Sequence, residues 1–257
     1  MELLSVNNLT ASFGDAVVLH NLNISLSKGA VLGIVGESGC GKTTLLRSIM
    51  ALRPQNEELT GSVCFMGRDL LTVSDKELRN IRGNEIAMIP QNASLAMDPT
   101  KTVSALFYET AKVHNRHAKR RQTDAQAVEL MERLHLEDPK RILHSYPFEL
   151  SGGMGQRVMI AASMMNRPRL LLADEPTSAL DGTAQKMVLQ ELDRLKREFH
   201  VSMILVSHNL GVVASLADEI AVMKDGSIVE TGAKDDVLRH PEHEYTQELI
   251  AAVPTLK

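Results

Sequence analysis

Cysteine is scarce in this chain. Its 257 residues include two, Cys40 and Cys64. They show neither metal-ligand spacing nor a disulfide framework, so a reducing, intracellular setting is expected. Basic charge is not in excess either. The 28 Lys and Arg face 32 Asp and Glu, for a net charge of −4. This excludes a protein that holds nucleic acid by bulk charge and leaves room only for a local patch. No apolar run approaches the ~18 residues that read as a membrane span. The start, Met1-Glu2-Leu3 with Asn7-Asn8 soon after, lacks a basic targeting segment. There is no low-complexity tail and no internal repeat. Any membrane channel would have to come from another polypeptide.

What is present is a series of short apolar runs. Leu3 to Val6, Val17 to Leu19 and Leu22 to Leu26 are broken at Gly14-Asp15 and Lys28-Gly29, which reads as antiparallel strands. Val31-Leu32-Gly33-Ile34-Val35 is apolar throughout, as a strand covered on both faces should be. Helical spacing follows from Thr43 to Leu52, with Leu45, Leu46, Ile49 and Leu52 on one side, and stops before Pro54. Gly61 to Phe65 and Ile86 to Ile89 read as strands. From about residue 92 to residue 149 the pattern is helical and charged. Leu170 to Ala173 and Met203 to Val206 are two further buried strands. Such strand–helix–strand repeats predict a parallel sheet covered by helices. Ile220 to Met223 and Ser227 to Thr231 form a hairpin, for which Asp225-Gly226 favours a tight primed turn.

Two constellations carry chemistry. Gly36-Glu37-Ser38-Gly39-Cys40-Gly41-Lys42-Thr43 stands between a strand and a helix. Gly36, Gly39 and Gly41 allow backbone N–H groups to approach phosphate oxygens closely. Lys42 is expected against the β- and γ-phosphates, and the Thr43 hydroxyl on Mg²⁺. Cys40 has two readings: a small residue that fits, or a thiol that the helix N-terminus makes acidic and oxidisable. The second constellation is Leu170-Leu171-Leu172-Ala173-Asp174-Glu175, a strand ending in two acids. Asp174 is expected to reach Mg²⁺ through water. Glu175 is the candidate general base. Gln91 and His208 each end a strand at the carboxyl edge of the sheet, where open α/β sheets bind ligands. Gln91 is a candidate for metal and lytic water, His208 for the γ-phosphate.

With Leu150-Ser151-Gly152-Gly153-Met154-Gly155-Gln156-Arg157 and the loop Ser178-Ala179-Leu180-Asp181 added, the chain resembles the nucleotide-binding subunits of ABC (ATP-binding cassette) transporters over nearly its whole length. Met154, Gly-Glu-Ser-Gly in the first loop, and the tail around His243-Glu244-Tyr245-Thr246-Gln247 resemble the dipeptide, oligopeptide and nickel importer branch. Many peptide-transport members of that branch continue into a cysteine-bearing segment; this sequence ends at Lys257 without one and looks closer to the short nickel- or metallophore-type subunits.

The resemblance implies an α/β P-loop NTPase core with a parallel sheet, an antiparallel β subdomain and a helical insertion. Residues 1–91 with 158–257 would form the core, and residues 92–157 the helical subdomain. It implies ATP and Mg²⁺ as cofactors, with Ser38 and Thr44 joining the phosphate loop and Phe13 stacking on adenine. Ser151, Gly152, Gly153 and Gln156 would meet the nucleotide of a second cassette, self or paralogue, in a head-to-tail dimer, with Asp181 at the seam. Further partners implied are two integral-membrane permease subunits, which would dock at residues 92–99, and indirectly an external substrate-binding protein. Nucleic acid is not among them. The expected place is the cytoplasmic face of the cell membrane, held peripherally. The alternative is a cassette of a non-transport complex of the carbon–phosphorus lyase type. His114 with His117, and His240 with His243, lack a third ligand nearby and are not expected to bind metal. The basic run Lys112, Arg116, Lys119, Arg120, Arg121 reads as a solvated face.

Overall fold

The computed structural model describes residues 1–54, 56–178 and 180–252. Ala179 of the 178–181 loop and the tail from Val253 to Lys257 lie outside the described residues. Backbone contacts gather into two compact units, residues 1–78 with those from 202 onward, and residues 79–201.

In the first unit, β1 (Glu2–Phe13) and β2 (Ala16–Ser27) form a long antiparallel pair, and β1 also pairs with β4 (Glu57–Phe65). The short β5 (Arg68–Asp69) closes this four-stranded antiparallel sheet. β1 runs well beyond the Leu3-to-Val6 stretch expected from the sequence. The register shifts between Val6 and Leu9, and Asn8 adopts φ 50. This irregularity carries the polar Asn7-Asn8 through the strand while Leu9 returns to the core.

A second sheet of the same unit holds β3 (Val31–Val35), fully buried, between the parallel strands β8 (Ser202–Ser207) and β9 (Glu219–Lys224). β10 (Ser227–Ala233) returns antiparallel to β9. Asp225 and Gly226 turn the hairpin with φ 45 and φ 75, the primed turn that Asp-Gly predicts. α9 (Leu210–Leu216) packs against β3 so closely that a Cβ on Gly33 would lie 2.0 Å from Val213 Cγ1. α10 (Lys234–Arg239) and α11 (Glu244–Ala251) complete the unit.

α1 (Lys42–Ile49) is shorter than the expected Thr43-to-Leu52 run. Ala51 takes φ 50 and its N–H closes onto Ser48 O at 2.9 Å. Leu52 therefore leaves the helix and is 37% exposed instead of extending the apolar stripe. α2 (Asp75–Ile81), not anticipated from the pattern, contains the division between the units.

In the second unit β6 (Ile86–Ile89) and β7 (Leu170–Asp174) pair in parallel, Ile86 opposite Leu170. Between them run α3 (Ala93–Ala96), α4 (Val103–His114), α5 (Arg120–Arg133), α6 (Pro139–His144) and α7 (Gly152–Ser163), the helical stretch the sequence led us to expect. α8 (Gly182–Phe199) follows β7 and buries Val188, Leu192 and Leu195 at helical spacing. This unit thus includes β6, β7 and α8 as well as residues 92–157. Among the described residues no helix is long and apolar enough to cross a membrane.

Candidate active site

The first unit gathers the phosphate loop. β3 ends at Val35, and the chain swings through residues 36–41 into α1. Gly41 caps that helix with φ 103, a conformation that other residues rarely adopt. Gly36 is required for a different reason: a Cβ there would lie 2.1 Å from Met223 O. The Lys42 side chain is 5% exposed. Its Nζ donates to Gly36 O at 2.8 Å and Glu37 O at 2.6 Å. Carbonyl dipoles solvate a buried ammonium without cancelling its charge, so the loop still favours an anion. Thr43 and Thr44 are half-buried in the first turn of α1, and Ser38 and Gly39 are exposed on the loop.

Of the two readings of Cys40, its surroundings favour the first. Its thiol is buried, with Lys42 Nζ 3.7 Å from Sγ. Burial pushes the thiol up, and this outweighs the lowering effect of Lys42. A buried thiol held up in this way fits the small filler rather than an acidic, oxidisable thiol.

His208 follows the end of β8 and is exposed. It lines a 240 Å³ cavity together with Val35 and Gly36, so the unit brings His208 beside the start of the phosphate loop. Asn209 caps α9 through Gly211 N and Val212 N. Phe13 is half-buried at the end of β1, opposite Ala16 and Glu57.

The second unit supplies the carboxylates. Asp174 ends β7 and Glu175 follows, 4% and 8% exposed. Glu175 adopts φ 47, in the left-handed region. Such a conformation costs a residue with a side chain about 1–3 kcal/mol. The turn is held by Ser178, whose N–H and hydroxyl both donate to Glu175 O, at 3.2 and 3.1 Å. Gln91 lies two residues beyond β6, and its Nε2 donates to Ser178 Oγ at 3.4 Å. The same unit therefore ties Gln91 to the turn that begins at Glu175.

Ser151, Gly152 and Gly153 open α7. The Ser151 hydroxyl caps the helix, accepting from Met154 N at 3.2 Å. Ser151 and Gly152 are exposed. Gly152 and Gln156 line a 210 Å³ cleft with Gln91, Asn92, Pro176 and Leu180. Gln156 itself is 3% exposed, and its Nε2 donates to Pro90 O at 3.4 Å. A Cβ on Gly153 would stand 2.8 Å from Ala184 Cβ, so the glycine permits α7 to sit against α8. Arg157 donates to the Glu191 carboxylate and to the carbonyls of Leu134 and His135, at 3.2 and 2.9 Å. Glu191 is pushed up to about 7 by burial, against the lowering pull of Arg157 and Arg194. Asp181 caps α8, accepting from Thr183 N and Ala184 N at 2.9 Å each.

Two details escaped sequence reasoning. Tyr245, recognised only as part of a tail pattern, accepts the Glu37 N–H of the phosphate loop at 3.1 Å. The β9–β10 hairpin also reaches that loop, through Gly226 N to Cys40 O at 3.1 Å. The histidine pairs do not share helix faces. His114 ends α4 whereas His117 lies beyond it, and His240 and His243 bound two different helices. Among the described residues no three His, Cys, Asp or Glu cluster as a metal site. In the basic run, Lys112 and Arg120 both lie over the Tyr108 ring.

The profile of the ABC transporter family matches residues 19–178. The metal-staphylopine import system ATP-binding protein CntD of Staphylococcus aureus is 43% identical over 253 residues, 98% of this chain and 93% of that one. The oligopeptide transport ATP-binding protein OppD of Bacillus subtilis is 41% identical over 266 residues, all of this chain and 73% of that one. The dimeric ATP-binding cassette MJ0796, in a post-hydrolysis state bound to ADP and Pi, superposes with a TM-score of 0.79 at 27% identity, covering 90% of this chain and 99% of that one. With a phosphate loop in one unit and a paired carboxylate strand and signature helix in the other, this chain belongs to the ABC transporter family as one of its ATPase cassettes.

Proposed function

We propose that this chain is the ATP-hydrolysing subunit of an importer and that it drives separate permease subunits. The observation that carries the reading is the buried Lys42 ammonium, set on Gly36 O and Glu37 O in a loop where Gly36 and Gly41 leave no room for a side chain. That cradle fits a triphosphate. The loop N–H groups and Lys42 bind it, Ser38, Thr43 and Thr44 contribute hydroxyls, and Phe13 covers the base. By the family resemblance Thr43, Asp174 and Gln91 would hold Mg²⁺, partly through water, with the oxygen donors that ion takes. Mg²⁺ when bound supplies charge neutralisation on the phosphates. Glu175 takes the proton of the attacking water, and its enforced φ is consistent with a side chain aimed by the turn rather than by preference. His208 holds the γ-phosphate.

Residues 92–157 act as the helical subdomain, and residues 1–91 with 158–257 as the core. Ser151, Gly152 and Gly153 present a helix N-terminus to the nucleotide of a second cassette, with Gln156 fixing the start of that helix and Asp181 at the seam. The dimeric MJ0796 cassette supports this arrangement. ATP then joins two surfaces, and hydrolysis releases them. Within residues 92–99, Leu95 is 84% exposed, and Phe148 of the same unit is 73% exposed. Both are available to a permease contact. The chain then lies peripherally on the cytoplasmic face of the membrane. Relatives named for oligopeptide, dipeptide and metal-staphylopine import support peptides, nickel or a metal chelate as the cargo class. The cargo is selected by the permease and an external binding protein.

The test is to tag this chain, solubilise its native membranes gently and identify what co-purifies. Two polytopic permease subunits, with or without a second cassette, are expected. Recovery with soluble enzymes and no permease would overturn the importer reading.

A further inference from the structure

The C-terminal helix meets the phosphate loop at one buried hydroxyl. Tyr245 lies in the first turn of α11, 3% exposed. Its Oη accepts the N–H of Glu37, 208 positions earlier in sequence. The ring is covered by Lys224 Nζ, 4.7 Å from its centroid. Burial is the main effect that pushes the phenol up, so it remains a neutral hydroxyl at working pH. The start of α11 is itself tied down. Glu230 on β10 accepts from Glu242 N at 3.0 Å and His243 N at 3.1 Å, and His243 Nδ1 accepts from Tyr245 N at 3.1 Å.

These contacts surround the part of the loop that holds Lys42. Glu37 offers its N–H to Tyr245 and its carbonyl to the Lys42 ammonium. Fixing one end of that residue fixes where the other points. Three contacts therefore set the loop: Met223 O against Gly36, Gly226 N on Cys40 O, and the Tyr245 hydroxyl on Glu37 N. The first two belong to the β9–β10 hairpin. The third belongs to the C-terminal helix, which lies outside residues 19–178, the part matched by the family profile.

We propose that Tyr245 is a positioning residue for ATP binding: through Glu37 it holds the phosphate loop in its cradle form and couples the C-terminal helix to the nucleotide. The proposal rests on the reading of residues 36–43 as the triphosphate site. Coupling of this kind is reciprocal, so nucleotide must stabilise the helix as much as the helix favours nucleotide.

The test compares Tyr245→Phe with the parent, both as the full chain. Phenylalanine keeps the buried ring and its Lys224 contact and removes only the acceptor. One neutral hydrogen bond corresponds to about a three- to tenfold change in equilibrium. The expected result is an ATP KM raised by that factor, with kcat at saturating ATP within about twofold of the parent. In hydrogen exchange, ADP should slow residues 244–251 in the parent and do so less in Tyr245→Phe. Glu248→Ala, on an exposed position of the same helix, should leave both readouts at parental values. An unchanged KM in Tyr245→Phe, or a fall in kcat with KM unchanged, overturns the proposal. Lys42→Ala separates the two levels. Parental ATP affinity there removes the phosphate-site reading itself, whereas lost affinity there beside a parental Tyr245→Phe removes only the role of Tyr245.

Discussion

Glu175 occupies a backbone conformation it would not choose. At φ 47 it stands just past a buried strand, and Ser178 closes the turn behind it with two hydrogen bonds to its carbonyl. A base aimed by its backbone can lose its charge without losing its place. Glu175→Gln should therefore retain ATP affinity while turnover falls by about a hundredfold or more, the scale of general-base catalysis. Steady-state hydrolysis and equilibrium binding of ATP separate the two quantities, and turnover within a few-fold of the parent would remove Glu175 from the base role. At this scale the sequence was readable where function depends on neighbours in the chain. The glycines, Lys42 and Thr43 follow one another, so their shared task shows in their spacing. Cys40 was readable only in part, because whether it becomes acidic depends on burial, and burial is set by residues far along the chain. Tyr245 was not readable as a loop contact at all, since nothing near it in sequence points to Glu37.

The helices of the second unit show how an element can be fixed by something other than apolar packing. α7 and α8 touch where Gly153 admits Ala184, and Arg157 pins α7 to α8 and to the end of α5. Glu191, the acid of this contact, is 2% exposed, and its Oε2 has no hydrogen-bond partner. Its folded value of about 7 lies above the ordinary 4.5. The folded state therefore binds this proton more tightly than the unfolded chain. Its contribution to stability is complete below about 4.5 and is lost as pH rises towards about 7. Glu191→Gln keeps an acceptor for Arg157 and does not titrate. Its melting temperature should rise relative to the parent by a few degrees between pH 5 and pH 8; a difference independent of pH would show that Glu191 stays ionised throughout. Strands β3, β7 and β8 and the β9–β10 turn were legible from apolar runs and from Asp-Gly. The full length of β1 and the early end of α1 were not, because Asn8 and Ala51 adopt positive φ without being glycine. Such positions leave no mark in a pattern of apolar spacing.

For the whole molecule the reading turns on assembly. One chain carries a phosphate loop and a signature helix, and in the proposed arrangement each serves the other chain's half of a shared site. Nucleotide should then control association. The Glu175→Gln protein with ATP should double in mass by light scattering, and the parent with ADP should remain monomeric. A monomer under all conditions, alone and with a paralogous cassette, would remove the head-to-tail arrangement. The β9–β10 hairpin adds a consequence for anyone altering this protein. Surface hairpin tips commonly accept grafted peptides and tags. The tip at Asp225-Gly226 is different, because a Cβ on Gly226 would lie 2.2 Å from Val18 O, and its N–H holds Cys40 O of the phosphate loop. The turn at Gly67, whose φ of 78 calls for keeping the glycine but where an added Cβ meets nothing within 4 Å, is the better place for an epitope. An insertion at the more obvious hairpin would act as an ATP-site lesion placed nearly two hundred residues downstream of that site in the sequence.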